Sequence, residues 1–341
     1  MVLNISKTDF KIGTSCSRKL WYKKNGYPTS NDGNDYMQYL ATGGYIVGKM
    51  AQLIYYGGID LSAIKDWDLA VSRTNELIRT NKDVIIYEAT FYANNKLVRV
   101  DILEKIGSEL RVIEVKAKSQ ASEEENDRIP SEYLDDVLFQ VLTVEEAFPN
   151  LNVKGYLFLP DKSKVNKIEG LAGWFTIEEI TSEVYELDEL PGRTTSFTIP
   201  SVRFKYEDDP DKQKYIEQLR EDSILELRDI RDRDFDGDWT AAKQEVKTSF
   251  ERLYDSVQNG RAGSISKNCK DCEYASEIEG KNGFAECWKD FAGQDLSAFD
   301  LYYGGSLKHQ GAPYLNYLIE AKTMSLKDID LDALLMSMGL L

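Results

Sequence analysis

Hydrophobic and polar residues alternate through three consecutive segments of residues 83–117, and this pattern predicts an antiparallel β-meander. The Asn94-Asn95 pair suits a two-residue hairpin, because asparagine tolerates positive φ. Gly107-Ser108 offers a second turn of this kind, with glycine at its first central position. The two turns together fix which residues lie opposite one another on the three strands.

The two faces of this predicted sheet carry different side chains. One face is apolar throughout, so we expect it to pack on a hydrophobic core. The opposite face carries three acids in one row, Glu88, Asp101 and Glu114. Lys116 lies two residues beyond the last of them, on the same face. The apolar rows are Tyr87/Ile102/Ile113, Ala89/Val100/Val115 and Phe91/Val98/Ala117.

Helical periodicity predicts several helices around the meander. On the helix that begins after Pro130, apolar residues form one stripe, and Asp136 and Gln140 lie on the other side. A buried strand is predicted at residues 155–159, and residues 191–200 form a boundary region. The other predicted helices run from Ser6 or Thr8 to about Lys24, from about Asn34 to Tyr56, from Trp67 to Thr80, and in two polar segments within residues 211–257.

The acidic row is unfavourable without a bound cation. At a spacing of about 5 Å and an effective dielectric constant of about 20, each adjacent pair of carboxylates costs roughly 3 kcal/mol. No histidine or cysteine lies near these acids in the sequence, and oxygen ligands suit Mg²⁺ or Mn²⁺ better than Zn²⁺. The row therefore indicates a magnesium or manganese site. A solvated sheet face on which acids happen to align is the alternative interpretation.

Length and composition indicate a soluble globular protein. The chain has 341 residues and is 42% hydrophobic, which is enough for one large domain with appendages or for two ordinary ones. The first residues lack a signal-peptide pattern and no apolar run approaches membrane length, so we expect a cytoplasmic protein without membrane contact. In that reducing compartment, cysteines are better explained as metal ligands than as disulfides.

The net charge of −16 repels nucleic acid on average, so any contact with it must be local. Residues 1–24 contain six basic residues and one acidic residue, with Trp21 and Tyr22 among them. Such a segment can grip a single strand through phosphates and stacked bases. Alternatively, it forms a surface helix whose aromatic side chains pack inward. Residues 205–238, with thirteen acidic and seven basic residues, predict a solvated helix away from any substrate.

Two features resemble a known group of nucleases. Asp101 followed by Glu114-Val115-Lys116 resembles the D…(D/E)xK signature of the PD-(D/E)XK nuclease superfamily. One early cysteine and three late ones bracket this signature, which resembles the iron–sulfur clasp of RecB-type nucleases such as the AddB subunit and the nucleases of CRISPR adaptation. The resemblance covers most of the chain, and several phrases are most similar to an uncharacterised bacterial domain family. The cysteines are Cys16, Cys269, Cys272 and Cys287.

The resemblance implies a fold, a reaction and a set of roles. The fold is an α/β restriction-endonuclease-like core, a mixed sheet flanked by helices, with helical appendages and a C-terminal lobe around a four-cysteine cluster. The acidic row and the carbonyl of Val115 are expected to hold one or two Mg²⁺ or Mn²⁺ ions. Lys116 is expected to polarise the attacking water, and Gln140 to touch the substrate backbone. The cysteines are expected to hold a [4Fe–4S] cluster, with zinc as the alternative that four thiolates also permit.

Two positions and one spacing depart from the family pattern. Gly48 stands where the family has a metal-binding histidine on an upstream helix, so Glu88 is expected to fill that coordination position. Val144 stands where the family has a tyrosine four residues after Gln140. The last two cysteines are separated by 14 residues, which is longer than is common in the clasp.

Together these patterns predict a metal-dependent deoxyribonuclease that hydrolyses phosphodiester bonds in DNA repair, recombination or phage defence. We expect single-stranded DNA or duplex ends as the substrate, and a helicase or a second nuclease subunit as a candidate partner. The alternatives are a catalytically silent DNA clamp with the same fold and a zinc-stapled regulator. The predicted segments are a nuclease core with the N-terminal cysteine helix at 1–200, an acidic helical segment at 201–260, and a cysteine lobe with a C-terminal tail at 261–341.

Overall fold

The structure is a computed structural model that describes most of the chain. The described residues are 3–30, 35–119, 129–185, 194–231, 238–260, 265–276, 280–289, 292, 297–300, 308–309, 312–330, 332 and 335–336. The helices are α1 (Lys7–Ser15), α2 (Ser17–Lys24), α3 (Asp35–Ile54), α4 (Trp67–Thr80), α5 (Ser131–Ala147), α6 (Lys212–Asp222), α7 (Trp239–Gln258), α8 (Gly283–Trp288) and α9 (Tyr314–Glu320). The strands are β1 (Ile5–Ser6), β2 (Ile59–Asp60), β3 (Asp83–Ala93), β4 (Lys96–Ile106), β5 (Glu109–Val115), β6 (Asn152–Pro160), β7 (Phe175–Tyr185), β8 (Thr194–Phe204), β9 (Leu225–Asp229), β10 (Lys308–His309) and β11 (Ala312–Pro313).

Among the described residues, a seven-stranded mixed β-sheet provides the framework of the fold. Six strands lie in the order β2-β3-β4-β5-β6-β9, and β1 pairs with β4. Strands β3, β4 and β5 form an antiparallel meander, β5 and β6 are parallel, and β9 is antiparallel to β6. Helices α4 and α5 pack against the sheet. The predicted α/β architecture, a mixed sheet flanked by helices, is therefore confirmed.

The meander has the register that its turns predict. Ala93 pairs with Lys96 across the first turn, and Ile106 pairs with Glu109 across the second. The Asn94-Asn95 pair has φ values of 45° and 64°, as the two-residue hairpin requires. Most of the predicted apolar rows are buried, so this face packs on the core as expected.

The helices agree with the sequence pattern except at Cys16. The pattern predicts one helix to Lys24, but Cys16 is extended, with φ −166° and ψ 117°, so the chain forms α1 and then α2. The start of α1 is a reciprocal cap: Ser6 Oγ accepts the Asp9 N–H at 3.1 Å, and Asp9 Oδ2 accepts the Ser6 N–H at 3.0 Å. No helix in the described ranges is long and apolar enough to cross a membrane.

Two strand regions differ from the sequence prediction. Strand β9 lies in the acidic segment that predicts a solvated helix, and there the prediction is wrong, because Leu225 and Leu227 pack on the core. Strands β7 and β8, with 11 residues each, form a hairpin across the predicted boundary region. Acidic residues interrupt the apolar alternation of β7, and Pro200 lies inside β8, so neither strand has a clear sequence signal.

The chain divides into two compact units. Unit 1 comprises Met1–Lys11 and Asp35–Arg252, and unit 2 comprises Ile12–Asn34 and Leu253–Leu341. This division differs from the three predicted segments. Most of the acidic segment belongs to unit 1, because it supplies β9 to the sheet. Cys16 belongs to unit 2, as do the three late cysteines.

Candidate active site

On the edge that faces away from β3, strand β4 pairs with two different strands along its length, and the candidate site lies between them. Its first residues pair with β1, whereas Ile102–Ile106 pair with β5. The pairing of β5 with β4 ends at Ile113, but the pairing of β5 with β6 continues to Val115. Strand β5 therefore separates from β4. We call the gap between β1 and β5, at residues 98–101 of β4, the fork.

Asp101 lies on β4 at the fork. Its Oδ2 atom accepts the backbone N–H of Val115 at 2.7 Å, in place of a backbone carbonyl. Burial raises the pKa of Asp101 to about 7, and repulsion from Glu114 adds to this shift. Attraction to Lys7 opposes it. The Asp101 carboxyl group therefore keeps its proton to a higher pH than an ordinary aspartate does.

Glu114 is buried near the end of β5, with 3% of its surface exposed. Lys7 Nζ lies 2.8 Å from both Oε1 and Oε2 of Glu114. Lys116 Nζ donates to Oε1 and Gln140 Nε2 donates to Oε2, each at 2.8 Å. Burial alone raises the pKa of Glu114, but Lys7 and Lys116 outweigh it and lower the pKa to about 2. Glu114 is therefore ionised at neutral pH.

Lys116 joins Glu114 to helix α5. Its ammonium group donates to Asp136 Oδ2 at 2.7 Å and lies 4.9 Å from the centre of the Tyr133 ring. Burial lowers the pKa of Lys116, but Glu114 and Asp136 outweigh it, so the pKa is raised overall. Lys116 is therefore a permanent cation with fixed neighbours.

Helix α5 presents two buried polar residues to the site. Asp136 and Gln140 are one helical turn apart and lie on one face. Gln140 Nε2 donates to Asp136 O at 3.1 Å as well as to Glu114. Gln140 Oε1 is buried and has no hydrogen-bond partner in the part of the chain that the structure describes. An unsatisfied buried acceptor is unusual in a folded protein and calls for a functional explanation.

Glu88 lies opposite Asp101 without forming a ladder pair with it. The pairs on either side keep the predicted register, but Glu88 itself has a φ of 58°. A non-glycine residue in this left-handed region costs about 1–3 kcal/mol, and such strain is concentrated at functional sites. Burial raises the pKa of Glu88, while Arg99 opposes the shift and Asp60 adds to it.

The fork gathers the residues that the sequence proposes for the site. Burial is the main cause that raises the pKa values of Glu88 and Asp101, and repulsion from Glu114 adds to both shifts, so the acids of the row lie close enough to repel one another. Val115 contributes its N–H to this group. The predicted site residues found here are Glu88, Asp101, Glu114, Val115, Lys116 and Gln140.

Two residues of the site are missing from the sequence prediction. Lys7 and Glu114 are 107 positions apart, and no local pattern connects them. Asp136 had a readable signal, because it lies one turn before Gln140 on the same helix face. Helical spacing from Gln140 therefore indicates Asp136, whereas Lys7 lies in a distant segment of the sequence.

The fork is not a ready-made set of metal ligands. In the described residues, no group of three or more histidine, cysteine, aspartate or glutamate side chains is placed to hold a metal ion. At the fork, the carboxylate oxygens of Glu114 are occupied by donors from Lys7, Lys116 and Gln140. A divalent ion therefore needs at least one of these donors to withdraw.

The four cysteines are free thiols of unit 2. Burial raises the pKa of Cys269, and Cys16 and Cys287 add to the shift, so these three thiols are close enough to interact. Burial also raises the pKa of Cys272, with a smaller contribution from Cys269. The Tyr22 hydroxyl and Cys287 Sγ form a hydrogen bond at 3.3 Å. The thiols thus interact electrostatically, but among the described residues, which include all four cysteines, no three of them form a group placed to hold a metal ion, and no disulfide links them.

The aromatic residues of the N-terminal segment do not form an open stacking surface. Tyr22 is buried, with 1% of its surface exposed, and packs against Tyr27 and Tyr274. Lys19 pairs with Glu273 at 2.5 Å. The inward-packing interpretation is therefore correct for Tyr22.

Comparisons with known proteins do not assign the chain to a family. No family model and no curated protein matches it. Among solved structures, the crystal structure of SSO0001 matches 82% of this chain and 88% of that chain, at 11% sequence identity and a TM-score of 0.23. A TM-score this low supports no conclusion about fold or function.

Proposed function

We propose that this chain is a metal-dependent nuclease that hydrolyses phosphodiester bonds of DNA at the fork. The observation that carries the proposal is the meeting of Asp101, Glu114 and Lys116 at the point where β5 separates from β4. The same residues form the motif that resembles the PD-(D/E)XK signature. A restriction-endonuclease-like core is therefore part of the proposal.

The oxygen atoms of the fork suit a divalent ion. Asp101, Glu114 and Glu88 offer carboxylates and Val115 offers a carbonyl, which are ligands that Mg²⁺ and Mn²⁺ prefer. A bound ion acidifies a water molecule and neutralises charge on the scissile phosphate. A cation would also benefit Asp101 and Glu88, because burial is the main cause that raises the pKa of each and a bound ion favours the ionised form of a carboxyl group.

Lys116 supplies the fixed positive charge that the reaction needs. Glu114 and Asp136 hold its ammonium group from two sides. From this position it orients the attacking water or stabilises negative charge that develops on the phosphate. Gln140 is fully buried and donates to Glu114, so we assign it to the positioning of Glu114 rather than to contact with the substrate backbone.

The four thiols of unit 2 are proposed to hold a [4Fe–4S] cluster. Four cysteines are the donor set of such clusters, although they also permit zinc. The electrostatic interaction of Cys269 with Cys16 and Cys287 supports the proposal, because Cys16 is far from the others in sequence. The role of the cluster is structural, since it links the start of the chain to its last 90 residues or so.

A catalytically silent DNA clamp is the second candidate. One observation favours it: the oxygens of Glu114 are occupied by protein donors, so the charge of this acid is neutralised without a metal ion. A clamp of this kind binds DNA for a helicase or nuclease partner and leaves it intact. A regulator whose cysteines hold a structural zinc ion is the third candidate. It is distinguished from the nuclease and the clamp because it contains zinc and does not bind DNA.

The proposal is tested with a panel of metals and substrates. Purified protein is incubated with Mg²⁺, Mn²⁺, Ca²⁺ or no divalent ion, on labelled single-stranded DNA, blunt duplex DNA and single-stranded RNA. We expect cleavage of DNA that needs Mg²⁺ or Mn²⁺ and is absent with Ca²⁺ or chelator. Binding of DNA without cleavage under every condition would replace the nuclease with the clamp.

A further inference from the structure

The carboxylate of Glu114 has no room for another ligand as it stands. Lys7 contacts both oxygens, Lys116 contacts Oε1, and Gln140 contacts Oε2. Each carboxylate oxygen accepts about two hydrogen bonds through its lone pairs. Any ion that binds Glu114 directly must therefore displace one of these three donors.

The three donors differ in how firmly they are held. Lys116 has a second partner in Asp136 Oδ2, and its side chain is 17% exposed. Gln140 has a second partner in the carbonyl of Asp136 and is fully buried. Within the described residues, Lys7 hydrogen-bonds to Glu114 alone, and its side chain is 23% exposed. Lys7 is therefore the donor that gives up the fewest hydrogen-bond partners by leaving, and its side chain is the most exposed of the three. Its departure also costs the attraction between Lys7 and Asp101.

The position of Lys7 is fixed by its own secondary structure. Strand β1 pairs with the first residues of β4, and its first residue, Ile5, is fully buried. The reciprocal cap between Ser6 and Asp9 then starts helix α1 at Lys7. The backbone of Lys7 is thus anchored at the edge of the fork, while four rotatable side-chain bonds let its ammonium group swing away.

We propose that Lys7 occupies the place of the divalent ion in the metal-free fork and is displaced from Glu114 when the ion binds, so that Lys7 sets the metal affinity of the site. This inference rests on the proposed function only in taking the fork as a metal site. A buried carboxylate without a cation is strongly unfavourable, so Lys7 together with Lys116 keeps Glu114 ionised and ordered until the ion arrives. The ion must then compete with a charge that is already in place.

Metal binding without DNA tests the inference. Mn²⁺ titrations followed by electron paramagnetic resonance give the dissociation constant of the wild type and of Lys7→Met, which removes the charge and keeps an unbranched side chain one atom shorter. We expect Lys7→Met to bind Mn²⁺ at least about tenfold more tightly, equivalent to about 1.4 kcal/mol. Lys11→Met is the matched control on the same helix, because Lys11 pairs with the exposed Glu132 at 3.6 Å, and its affinity should equal that of the wild type.

A charge-retaining variant reverses the expected effect. The planar guanidinium group of Lys7→Arg can donate two parallel hydrogen bonds to the two oxygens of Glu114. The arginine should therefore hold this carboxylate more firmly than lysine does and weaken Mn²⁺ binding. This variant keeps the result interpretable if Lys7→Met folds poorly. Equal or weaker Mn²⁺ binding by a folded Lys7→Met protein overturns the inference, as does tighter binding by Lys7→Arg. Failure of both variants and the wild type to bind Mn²⁺ also overturns it.

Amine labelling reports the displacement itself. Acetic anhydride at a low ratio to protein, followed by mass spectrometry, measures the reactivity of Lys7 and Lys11 with and without Mn²⁺. We expect Mn²⁺ to increase labelling of Lys7 and to leave Lys11 unchanged. Saturating Mn²⁺ that leaves Lys7 as protected as before contradicts the proposal. Displacement of Lys7 by Mn²⁺ in a protein that does not cut DNA supports the inference while removing the nuclease assignment.

Discussion

The carboxylate of Asp101 accepts the backbone N–H of Val115 at 2.7 Å. The last residue pair between β4 and β5 is Ile102 with Ile113, so this hydrogen bond lies directly beyond the end of their pairing. A side chain thus takes over where the ladder between the two strands stops. Glu114 lies between Ile113, the last residue of β5 paired with β4, and Val115. Asp101 and Glu114, two of the three acids of the proposed site, therefore both lie where the two strands separate.

Asp101 should make the stability of the protein depend on pH near neutrality. Its pKa is about 7 in the folded chain, against a usual value of 3.8, so protonation favours the folded state. The stabilisation is complete below pH about 4 and is lost as the pH rises through about 7. Thermal unfolding between pH 5 and 8 should show stability from this group falling with pH, and Asp101→Asn should flatten that dependence. An identical slope in the variant would show that the pKa of Asp101 is not raised on folding.

Asp136→Asn should slow cleavage while leaving metal binding unchanged. Asp136 holds the ammonium group of Lys116 at 2.7 Å but lies outside the acidic row. Loss of the charge leaves Lys116 with Glu114 as its remaining charged partner and should lower the cleavage rate by about 10–100-fold, as for other residues that orient a catalytic group. Single-turnover rates and Mn²⁺ titrations on the same preparation separate the two effects. A weakened Mn²⁺ affinity at full rate would place Asp136 among the metal ligands instead.

Glu88→Gln should raise the metal concentration needed for half-maximal cleavage. The substitution keeps the shape of the side chain, so the strained backbone at φ 58° is preserved while the charge is removed. Glu76→Gln serves as the control, since Glu76 lies on the surface of α4 and pairs with Arg73. A metal requirement equal to that of the wild type would remove Glu88 from the ligand set and leave Asp101 and Glu114.

The sequence carried the register of the meander but not the whole site. Turn chemistry at Asn94-Asn95 was sufficient to place Glu88 opposite Asp101, because the backbone of such a turn admits few residues. The strained φ of Glu88 had no sequence signal. Lys7 was equally hidden, since its contact with Glu114 depends on the pairing of β1 with β4 across some 90 residues.

Local patterns failed where tertiary contacts decide the outcome. The segment that contains β9 is rich in acids and reads as a solvated helix, yet five of its residues extend the sheet beside β6. Two leucines on one face of β9 reach the core, and this short alternation is too weak to outweigh the surrounding charge. The sequence pattern predicted the polar face of α5. That this face is buried depends on its contacts with Lys116 and Glu114, which no local pattern predicts.

The cysteines should bind iron when the protein is purified without oxygen. We expect a brown protein with about four iron and four labile sulfide atoms per chain, as a [4Fe–4S] cluster requires. Cys16→Ser should bleach it as fully as Cys287→Ser, because Cys16 belongs to the same group of thiols. Ser15→Ala, beside Cys16, is the control and should stay brown. Colourless protein with one zinc per chain would assign the thiols to a structural zinc site and leave the fork unaffected.

Cleavage of DNA by matched variants tests the central claim most directly. Single-turnover assays with Mg²⁺ or Mn²⁺ compare the wild type with Asp101→Ala and Glu114→Ala, and with Glu104→Ala as the control. Glu104 also lies in the meander, but it pairs with Arg111 at 3.0 Å, away from the fork. The account predicts cutting by the wild type and the control and a loss of at least about 100-fold in both fork variants, with the thermal transition retained. Full activity in folded Asp101→Ala and Glu114→Ala proteins would contradict the assignment of the active site to the fork.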